Sequence, residues 1–398
     1  HLESPGLPVR RHVSISDGME VRRTTLTDPH FRVYSMHHAS PLFLIVTLWV
    51  VSSVAGGPET RLLPQQPATG RFVETDRGFM VPYQQRIPGS GVVIEMVPVP
   101  GGEIRLEPID PSSGQPKTVS FEPFWIGKFE ITMQQYMPYR QLHFTQKRNR
   151  PQGIDQAGSP TDVDAVTSPT EVYDPSFNFQ YAGHPDSPMP TASQFAARQY
   201  TKYLSLLTGQ TYRLPLRSEW QHACLAGSQS GYCFQDGEET VGDYAVYIDN
   251  VPDESQSLRV GTKKPNAWGL HDVHGNVSEF VIDDNAVTGM EYGHVACGGN
   301  CLSDAKDCTA KSFVRTDQDW WDEDPCFPNS PWWMTSELAR VTGFRIVSPL
   351  NSLSDAQKKA YWDADSAKLT SDVKSSLDSG RGSFGRVLTT EPTTKTVD

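Results

Sequence analysis

The chain has 398 residues, 37% of them hydrophobic, and a formal net charge of −12. This length and apolar content are sufficient for at least one sizeable core. The acidic balance and the lack of a basic stripe in the sequence argue against nucleic acid as a partner, because a phosphate-binding face needs clustered Lys and Arg. The 31 Gly and 31 Pro follow no collagen-like period and indicate a loop-rich globular protein.

The N-terminal region predicts an export signal that lies away from the first residue. Residues 36–55 contain a short apolar run at 41–51 and small residues up to Ala55, which predicts a cleaved signal peptide. The run is too short for a membrane span, so no stable span is expected after cleavage; an uncleaved anchor is the alternative. Residues 1–35 are then a non-native or disordered extension, and the mature protein is expected to be secreted or periplasmic.

The region after the signal predicts where the folded domain begins and ends. Residues 56–91 are rich in Pro, Gln and Gly and predict a linker, followed by a domain at 92–349. Within the domain, the runs at 92–99 and 124–132 predict strands. The polar stretch at 148–186 predicts either an insertion loop or a functional flap.

Two short amphipathic helices are predicted in the middle of the domain. A T-x-x-Q capping box begins the first at Thr191 and Gly209 ends it. A similar S-x-x-Q capping sequence at Ser218 begins the second helix, and Gly227 ends it. Residues 350–398 form a C-terminal extension that is predicted to be partly helical and then disordered.

Six cysteines follow the predicted linker, an even number that permits three disulfides in an oxidising compartment. Fifteen pairings are possible and the spacing selects none of them, nor does it match a zinc site. The six are Cys224, Cys233, Cys297, Cys301, Cys308 and Cys326.

A series of motifs gives the strongest indication of a family. In chain order they are MVPVPGGEIRL at 96–106, FWIGKFEITMQQY at 124–136, YRLPLRSEW at 212–220, KPNAWGLHDVHGNVSEF at 264–280, GGN at 298–300 and GFRIV at 343–347. Together they resemble the formylglycine-generating enzyme, or sulfatase-modifying factor, family. The resemblance implies an α+β fold, the sulfatase-modifying-factor variant of the C-type lectin fold, loop-rich with short helices and small mixed sheets.

The resemblance also implies a place for catalysis, after the Gly-Gly turn. The family's oxidase holds Cu(I) between two cysteine thiolates there, which suits a soft metal. In this sequence Ser303 occupies the first cysteine position and Cys308 the second, while Cys301 lies two residues early. The candidate catalytic residues are therefore Cys308, Ser303 and Cys301.

Two interpretations of these cysteines stay open. If 302–307 bulges, the sulfurs of Cys301 and Cys308 converge and could bind copper. Otherwise Cys308 is structural, for example bonded to Cys297 or Cys301. The first interpretation predicts a copper-dependent oxidase that converts a sulfatase cysteine to formylglycine, and the second predicts a binding or scaffold module. The partner is then a peptide segment of an exported protein, such as a sulfatase, or a glycan.

A calcium ion is the other cofactor that the resemblance implies. In the family the G-N-x-x-E segment binds Ca²⁺, and here it corresponds to the side chain of Asn276, the carbonyl of Val277 and the carboxylate of Glu279. Calcium needs several hard oxygen ligands, which irregular backbone can supply. The alternative is that Asn276 and Glu279 only cap a turn.

Two further clusters have a structural and a functional interpretation. His271 and His274 have the spacing of a metal pair, but the flanking glycines favour structural histidines. Trp320 and Trp321 precede the acidic run at 322–324 and could line a groove for sugars or peptides. A solvated acidic loop is the alternative.

Overall fold

The computed structural model describes residues 61–109, 112, 114–148, 162–172, 174–234, 240–253, 257–284, 294–321 and 330–387. The predicted N-terminal extension and signal peptide lie outside these residues, as do Cys326, the acidic run at 322–324 and the predicted disordered end at 388–398. Within the described part of the chain, every helix is too short or too polar to cross a bilayer.

The described residues form short strands and short helices joined by long loops. The strands are β1 (Leu62–Leu63), β2 (Val73–Thr75), β3 (Gly78–Met80), β4 (Tyr83–Arg86), β5 (Val93–Val99), β6 (Gly102–Leu106), β7 (Lys117–Phe121), β8 (Phe124–Gly127), β9 (Ala165–Pro169), β10 (Ser278–Val281), β11 (Val295–Cys297), β12 (Phe313–Arg315), β13 (Thr342–Gly343), β14 (Val347–Pro349) and β15 (Gly382–Arg386). The helices are α1 (Met133–Arg140), α2 (Leu142–Arg148), α3 (Pro175–Asn178), α4 (Gln194–Thr208), α5 (Arg217–Leu225), α6 (Val241–Tyr244), α7 (Asp355–Trp362) and α8 (Ala367–Asp378).

Two four-stranded sheets form the centre of the fold. One is antiparallel, in the order β14-β8-β5-β4, and pairs Val347 with Ile126. The other has the order β12-β11-β10-β13 and is mixed, because β13 runs parallel to β10. In the second sheet Glu279 lies opposite Cys297, so β10 and β11 bring the calcium motif beside the Gly-Gly turn.

The predicted linker is largely part of the fold. β1–β4 lie within residues 56–91, and Met80, Tyr83 and Ile87 are buried in the main core. The guanidinium of Arg61 stacks 4.6 Å above the ring of Trp125. The strands have only two to four residues each, so their apolar positions are too few to stand out among the Pro, Gln and Gly that surround them.

The two predicted helices exist, but different residues cap them. For α4 the cap is Ser193, whose Oγ accepts from Ala196 N at 3.1 Å, whereas Thr191 lies outside the helix in a left-handed conformation. For α5 the carboxylate of Glu219 accepts from Leu216 N at 2.8 Å, which places Ser218 inside the helix. Each predicted cap thus lies two residues from the observed N-cap, which is Ser193 for α4 and Leu216 for α5.

The C-terminal extension packs on the domain through α7, α8 and β15. Trp362 is 3% exposed, and its indole nitrogen donates to Tyr212 O at 2.8 Å. β15 pairs with all of β9, which lies buried inside the predicted loop at 148–186. The prediction of a disordered segment is therefore wrong for Gly382–Arg386, because strand pairing orders a Gly- and Ser-rich sequence there.

Candidate functional site

The turn at 271–276 is held in an unusual backbone conformation. Asp272 and Asn276 adopt positive φ angles of 57° and 56°. Between them Gly275 has φ +79°, and a Cβ added there would lie 2.2 Å from Val246 O. Only glycine fits this contact, and the side chains of Asp272 and Asn276 are buried in the resulting turn.

These two side chains join a group of buried polar and charged residues that we call the acidic centre: Glu130, Asp272, Asn276, Glu279 and Arg345. All five are at most 2% exposed. Asn276 Nδ2 donates to Glu130 Oε1 at 2.9 Å. Arg345 binds both oxygens of Glu279, from Nε and Nη2, at 2.5 Å each, and Trp220 Nε1 donates to Glu279 Oε2 at 2.8 Å.

The acidic centre holds more negative than positive charge. Burial, and then the neighbouring carboxylate of Asp272, raise the pKa of Glu130 well above its usual value. Burial raises the pKa of Asp272 to about 6. Arg345 is the one cation of the group, and its pairing with Glu279 leaves the other two carboxylates without an equally close positive partner in the group.

The predicted calcium ligands Asn276 and Glu279 differ in how well they fit a cation. Asn276 fits a cation, because no protein group donates to its buried Oδ1. The carboxyl groups of Glu130 and Asp272 form a side-chain hydrogen bond with each other, which needs a proton on one of them. Glu279 does not fit equally well, because both its oxygens accept strong hydrogen bonds from Arg345. Val277 is buried beside Cys301. Among the described residues no three His, Cys, Asp or Glu side chains form a metal cluster, so a calcium site here would need amide or backbone oxygens.

The loop after the Gly-Gly turn contains the predicted catalytic residues. Ser303 Oγ accepts from Asn300 N at 3.0 Å, and Ser303 N donates to Asn300 O at 3.0 Å. Cys308 is completely buried, and burial together with Asp307 and Asp304 raises its pKa to about 12. Burial also raises the pKa of Cys301 to about 12.

These cysteines do not form the bonds that the sequence allowed. The four buried ones, Cys224, Cys297, Cys301 and Cys308, are all free thiols, so the expected bond from Cys308 to Cys297 or Cys301 is wrong. Cys301 packs in a small apolar cluster with Val277. Cys308 also contributes to the raised pKa of Cys301, so the two thiols lie near each other. Of the two positions that the resemblance implies for copper ligands, one holds the hydroxyl of Ser303, which does not suit a soft Cu(I) ion. The Ser303–Cys308 pair therefore does not fit a Cu(I) site.

His274 binds the turn at 271–276 to this loop. Its Nδ1 lies 2.9 Å from Cys308 O, and its Nε2 accepts from Cys233 N at 3.0 Å. Burial lowers the pKa of His274 to about 4, so the ring is neutral. His271 also contacts a backbone carbonyl, that of Lys263, at 2.9 Å. Both histidines thus have the structural role that the flanking glycines favoured.

The predicted tryptophan groove is absent from the described residues. Trp320 and Trp321 are 3% and 8% exposed and belong to the main core. The indole nitrogen of Trp321 donates to Ser330 O at 2.9 Å. Their adjacency in sequence suggested a platform, but the core buries both rings.

A cleft of about 1050 Å³ lies elsewhere, along α1 and α2. Its described lining is mainly apolar, with Met133, Met137, Leu142 and Leu207, and it includes three glutamine side chains. It contains none of the predicted site residues. The sequence signal for it is weak, because α1 is only slightly amphipathic and a proline interrupts it.

Sequence reasoning missed Glu130 and Asp272, the two acidic residues of the centre that lie outside the G-N-x-x-E segment. Both were present in the motifs, within FWIGKFEIT and LHDVHGN. An acidic residue inside an apolar strand motif is a signal of a buried carboxylate, because such residues are rarely buried unless they are paired or bind a cation.

Short helices, small mixed sheets and a buried polar turn define a domain with the C-type-lectin-like fold. Residues 86–323 match the family model of the sulfatase-modifying factor enzyme 1-like domain, which is more than half of the chain. The chain therefore belongs to this family, and the predicted family and fold class are confirmed.

Solved structures with similar folds include three that span nearly their whole length. Treponema denticola variable protein 1 is 18% identical, with a TM-score of 0.43, and the match covers 68% of this chain and 99% of that one. PvdO from Pseudomonas aeruginosa is 19% identical (TM-score 0.46; 67% and 98% covered). CarF is 20% identical (TM-score 0.42; 65% and 99% covered). Comparison with curated proteins finds no match, so family membership rests on the domain match.

Proposed function

We propose that the protein is an exported binding or scaffold module that does not perform the cysteine oxidation of its family. The observation that supports this most is the pair Ser303 and Cys308 at the oxidase positions. A serine hydroxyl cannot replace a thiolate towards Cu(I), and the remaining thiol is buried with a pKa of about 12. Asp304 and Asp307 raise that pKa further, where an active thiol needs it lowered.

The signal-like segment at 36–55 supports export. Export would expose the cysteine thiols to oxidation. In an oxidising compartment, disulfides normally form between cysteines that can approach one another. Four of the cysteines are buried thiols in the folded domain. The proposal is that their burial keeps them reduced after export.

The partner that we propose is a peptide segment of another exported protein. The cleft along α1 and α2 is lined by methionine and leucine side chains, which accept apolar side chains of varied shape. The amide of Gln141 could pair with peptide backbone groups, whereas the amides of Gln134 and Gln146 already bond to Asp186 and Ser383. A glycan is less favoured, because sugar sites use exposed aromatic platforms and Trp320 and Trp321 are buried.

Calcium is the cofactor that we propose, with a structural role at the acidic centre. The support is the surplus of negative charge and the buried Asn276 Oδ1, to which no protein group donates. Without a cation these groups must hold a proton or remain unsatisfied, which opposes folding.

The catalytic part of the proposal is tested with the purified protein, Cu(I) and a peptide that carries the sulfatase C-x-P-x-R motif. We expect no aldehyde by mass spectrometry and no tight copper equivalent by titration. Copper-dependent aldehyde formation would restore the oxidase interpretation. So would one tight equivalent of copper that is lost in Cys308→Ser.

The binding part is tested with a peptide library from exported proteins and the variant Met137→Glu, which places a charge in the cleft. Phe144→Glu is the matched control, since Phe144 is 47% exposed on neighbouring α2 and does not belong to the described lining. Peptides that bind the wild type and the control equally, but not Met137→Glu, support the cleft. Equal binding to all three proteins contradicts it.

A further inference from the structure

We infer that the cleft along α1 and α2 is a docking site for residues 388–398 of this chain, which we call the C-terminal segment. The inference rests on the peptide cleft of the proposed function and adds a regulator of that same site. While the segment is docked, a peptide from another protein has to displace it before binding. The segment would thus set the affinity of the cleft for its partners.

The described part of the chain ends at the wall of this cleft. Arg386 and Val387 are the last two described residues, and both line the cleft. β15 pairs with β9 along its whole length, with Arg386 opposite Ala165. Because this pairing fixes the position and direction of the strand, Leu388 begins directly beside the lining.

Side-chain hydrogen bonds also hold β15 against α2, one of the helices of the cleft. His143 Nδ1 lies 3.1 Å from Ser383 Oγ, and the same hydroxyl donates to Gln146 Oε1 at 2.6 Å. The C-terminal segment is therefore tethered at the edge of its site, which gives it an effective concentration on the order of millimolar. A contact with a Kd of about that value is enough to occupy the cleft for about half of the time.

The C-terminal segment is long enough to follow the whole cleft. Residues 388–398 can reach at most about 36 Å when fully extended, at about 3.3 Å per residue. Residues 133–148, which comprise α1, α2 and the residue between them, would be about 24 Å long even as one straight helix. A segment that starts beside Val387 can therefore contact both helices.

The composition of the C-terminal segment suits the walls of the cleft. Its threonines and Pro392 favour an extended backbone, so docking costs less conformational entropy than it would for a Gly-rich sequence. Leu388 is an apolar residue at the point of entry, and the thioethers of Met133 and Met137 adapt to apolar groups of varied shape. None of the described lining residues is acidic, so Glu391 meets no like charge in the walls.

The direct test compares the full chain with a chain that ends at Val387, both labelled with ¹³C in the methionine methyl groups. We expect the NMR signals of Met133 and Met137, which line the cleft, to differ between the two chains. The signals of Met80 and Met96, which are 0% exposed, should coincide and show that both chains are folded. Adding the C-terminal segment as a synthetic peptide should move the two cleft signals of the shorter chain back towards their positions in the full chain.

Two substitutions in the full chain repeat the test without shortening it. Leu388→Asp should give the same methionine signals as the shorter chain, because a charged side chain is costly to bury in an apolar wall. Thr393→Ser is the matched control, since it adds no charge, and it should resemble the wild type. Library peptides that bind the cleft should bind the shorter chain and Leu388→Asp at least about threefold more tightly than the wild type.

The results separate this inference from the proposed function. Identical signals of Met133 and Met137 in the two chains would overturn the inference, and the peptide cleft would stand if library peptides still bound. If the synthetic segment moves both signals but no library peptide binds either chain, the docking holds and the proposed peptide partner is wrong. Equal peptide affinities of the two chains would show that the segment does not compete, and this too would overturn the inference.

Discussion

The turn at 271–279 and the loop at 300–308 are neighbours, yet they retain different parts of the family's features. Cys301 N donates to Asn276 O at 2.9 Å, and Gly275 N donates to Gly298 O at 3.0 Å, so the two segments share backbone hydrogen bonds. The turn keeps a buried ion pair between Glu279 and Arg345. The loop holds Ser303 and the buried thiol of Cys308 at the two positions that the family resemblance implies for the oxidase cysteines.

The comparison shows that the fold and the reaction depend on separate residues of one small region. The fold needs Arg345, Glu279 and the strained turn, because removing any of them leaves buried groups unsatisfied. The reaction would need two accessible thiolates, which no backbone hydrogen bond requires. A chain can therefore lose the reaction and keep the fold.

The largest effect is expected when the buried pair of Arg345 and Glu279 beside the turn is broken. Arg345→Ala leaves Glu279 buried and without its bidentate partner, and we expect a loss of about 3–5 kcal/mol in the free energy of unfolding, measured in urea. Arg105→Ala is the control, because Arg105 is exposed and its pair with Glu107 has a distance of 4.0 Å. Equal losses in both variants would contradict a special role for the turn.

The next effect depends on pH and concerns His274, which links the two segments. Its pKa is lowered from 6.5 to about 4 in the folded protein. Below pH 6.5 the imidazole of His274 binds a proton in the unfolded chain but not in the folded chain. The contribution of this group to the free energy of unfolding is therefore fully present above pH 6.5 and falls as the pH drops towards 4. The loss in the free energy of unfolding that comes from His274 should reach about 3 kcal/mol.

The measurement is the urea midpoint at several pH values between 7 and 4, for the wild type and for His274→Asn. The variant should be less stable at pH 7, since it loses contacts to Cys308 and Cys233. It should also show a shallower decline with acid. An identical slope in both proteins would assign the acid sensitivity to other groups.

A third prediction separates backbone strain from steric contact in the turn. Gly275→Ala should cost at least about 2 kcal/mol, because the new methyl group meets Val246 O. Gly209→Ala is a matched control with φ +72° and nothing within 4 Å, and it should cost only about 1 kcal/mol. Urea unfolding of the two variants gives the difference, and equal costs would mean that the turn relaxes.

The smallest effect is expected in the loop. Cys308→Ala should lower stability by only about 1 kcal/mol, because a buried thiol behaves as a small apolar group. In the native protein Cys308 should resist iodoacetamide at pH 8, since its pKa of about 12 leaves almost no thiolate. Rapid native alkylation, detected by mass spectrometry, would show an accessible and reactive thiol instead.

Elements of the fold that have a clear local sequence pattern were predictable from the sequence. The strand at 92–99 corresponds to β5 (Val93–Val99), and the glycine at 209 ends α4 as expected. The short strands β1–β4 were not predictable, because their burial depends on partners far away in the chain. The same is true of β15, whose sequence alone is typical of a flexible segment.

The candidate site was predictable only in part. Asn276 was identified from the motif, and the Ser303 and Cys308 positions followed from counting residues after Gly299. The roles of Glu130 and Asp272 depend on a contact between β8's exit and the turn, which no local pattern encodes. The pairing of Glu279 with Arg345 joins β10 to the segment before β14, and that contact is equally remote in sequence.

The pairing of β15 with β9 has a consequence for biosynthesis. β9 lies buried near the middle of the chain, and its partner strand is among the last described residues to leave the ribosome. Until then the backbone groups on that edge of β9 have no strand to bind, and such edges promote association between chains. The two-stranded sheet of β9 and β15 can therefore form only after the C-terminal extension has been translated.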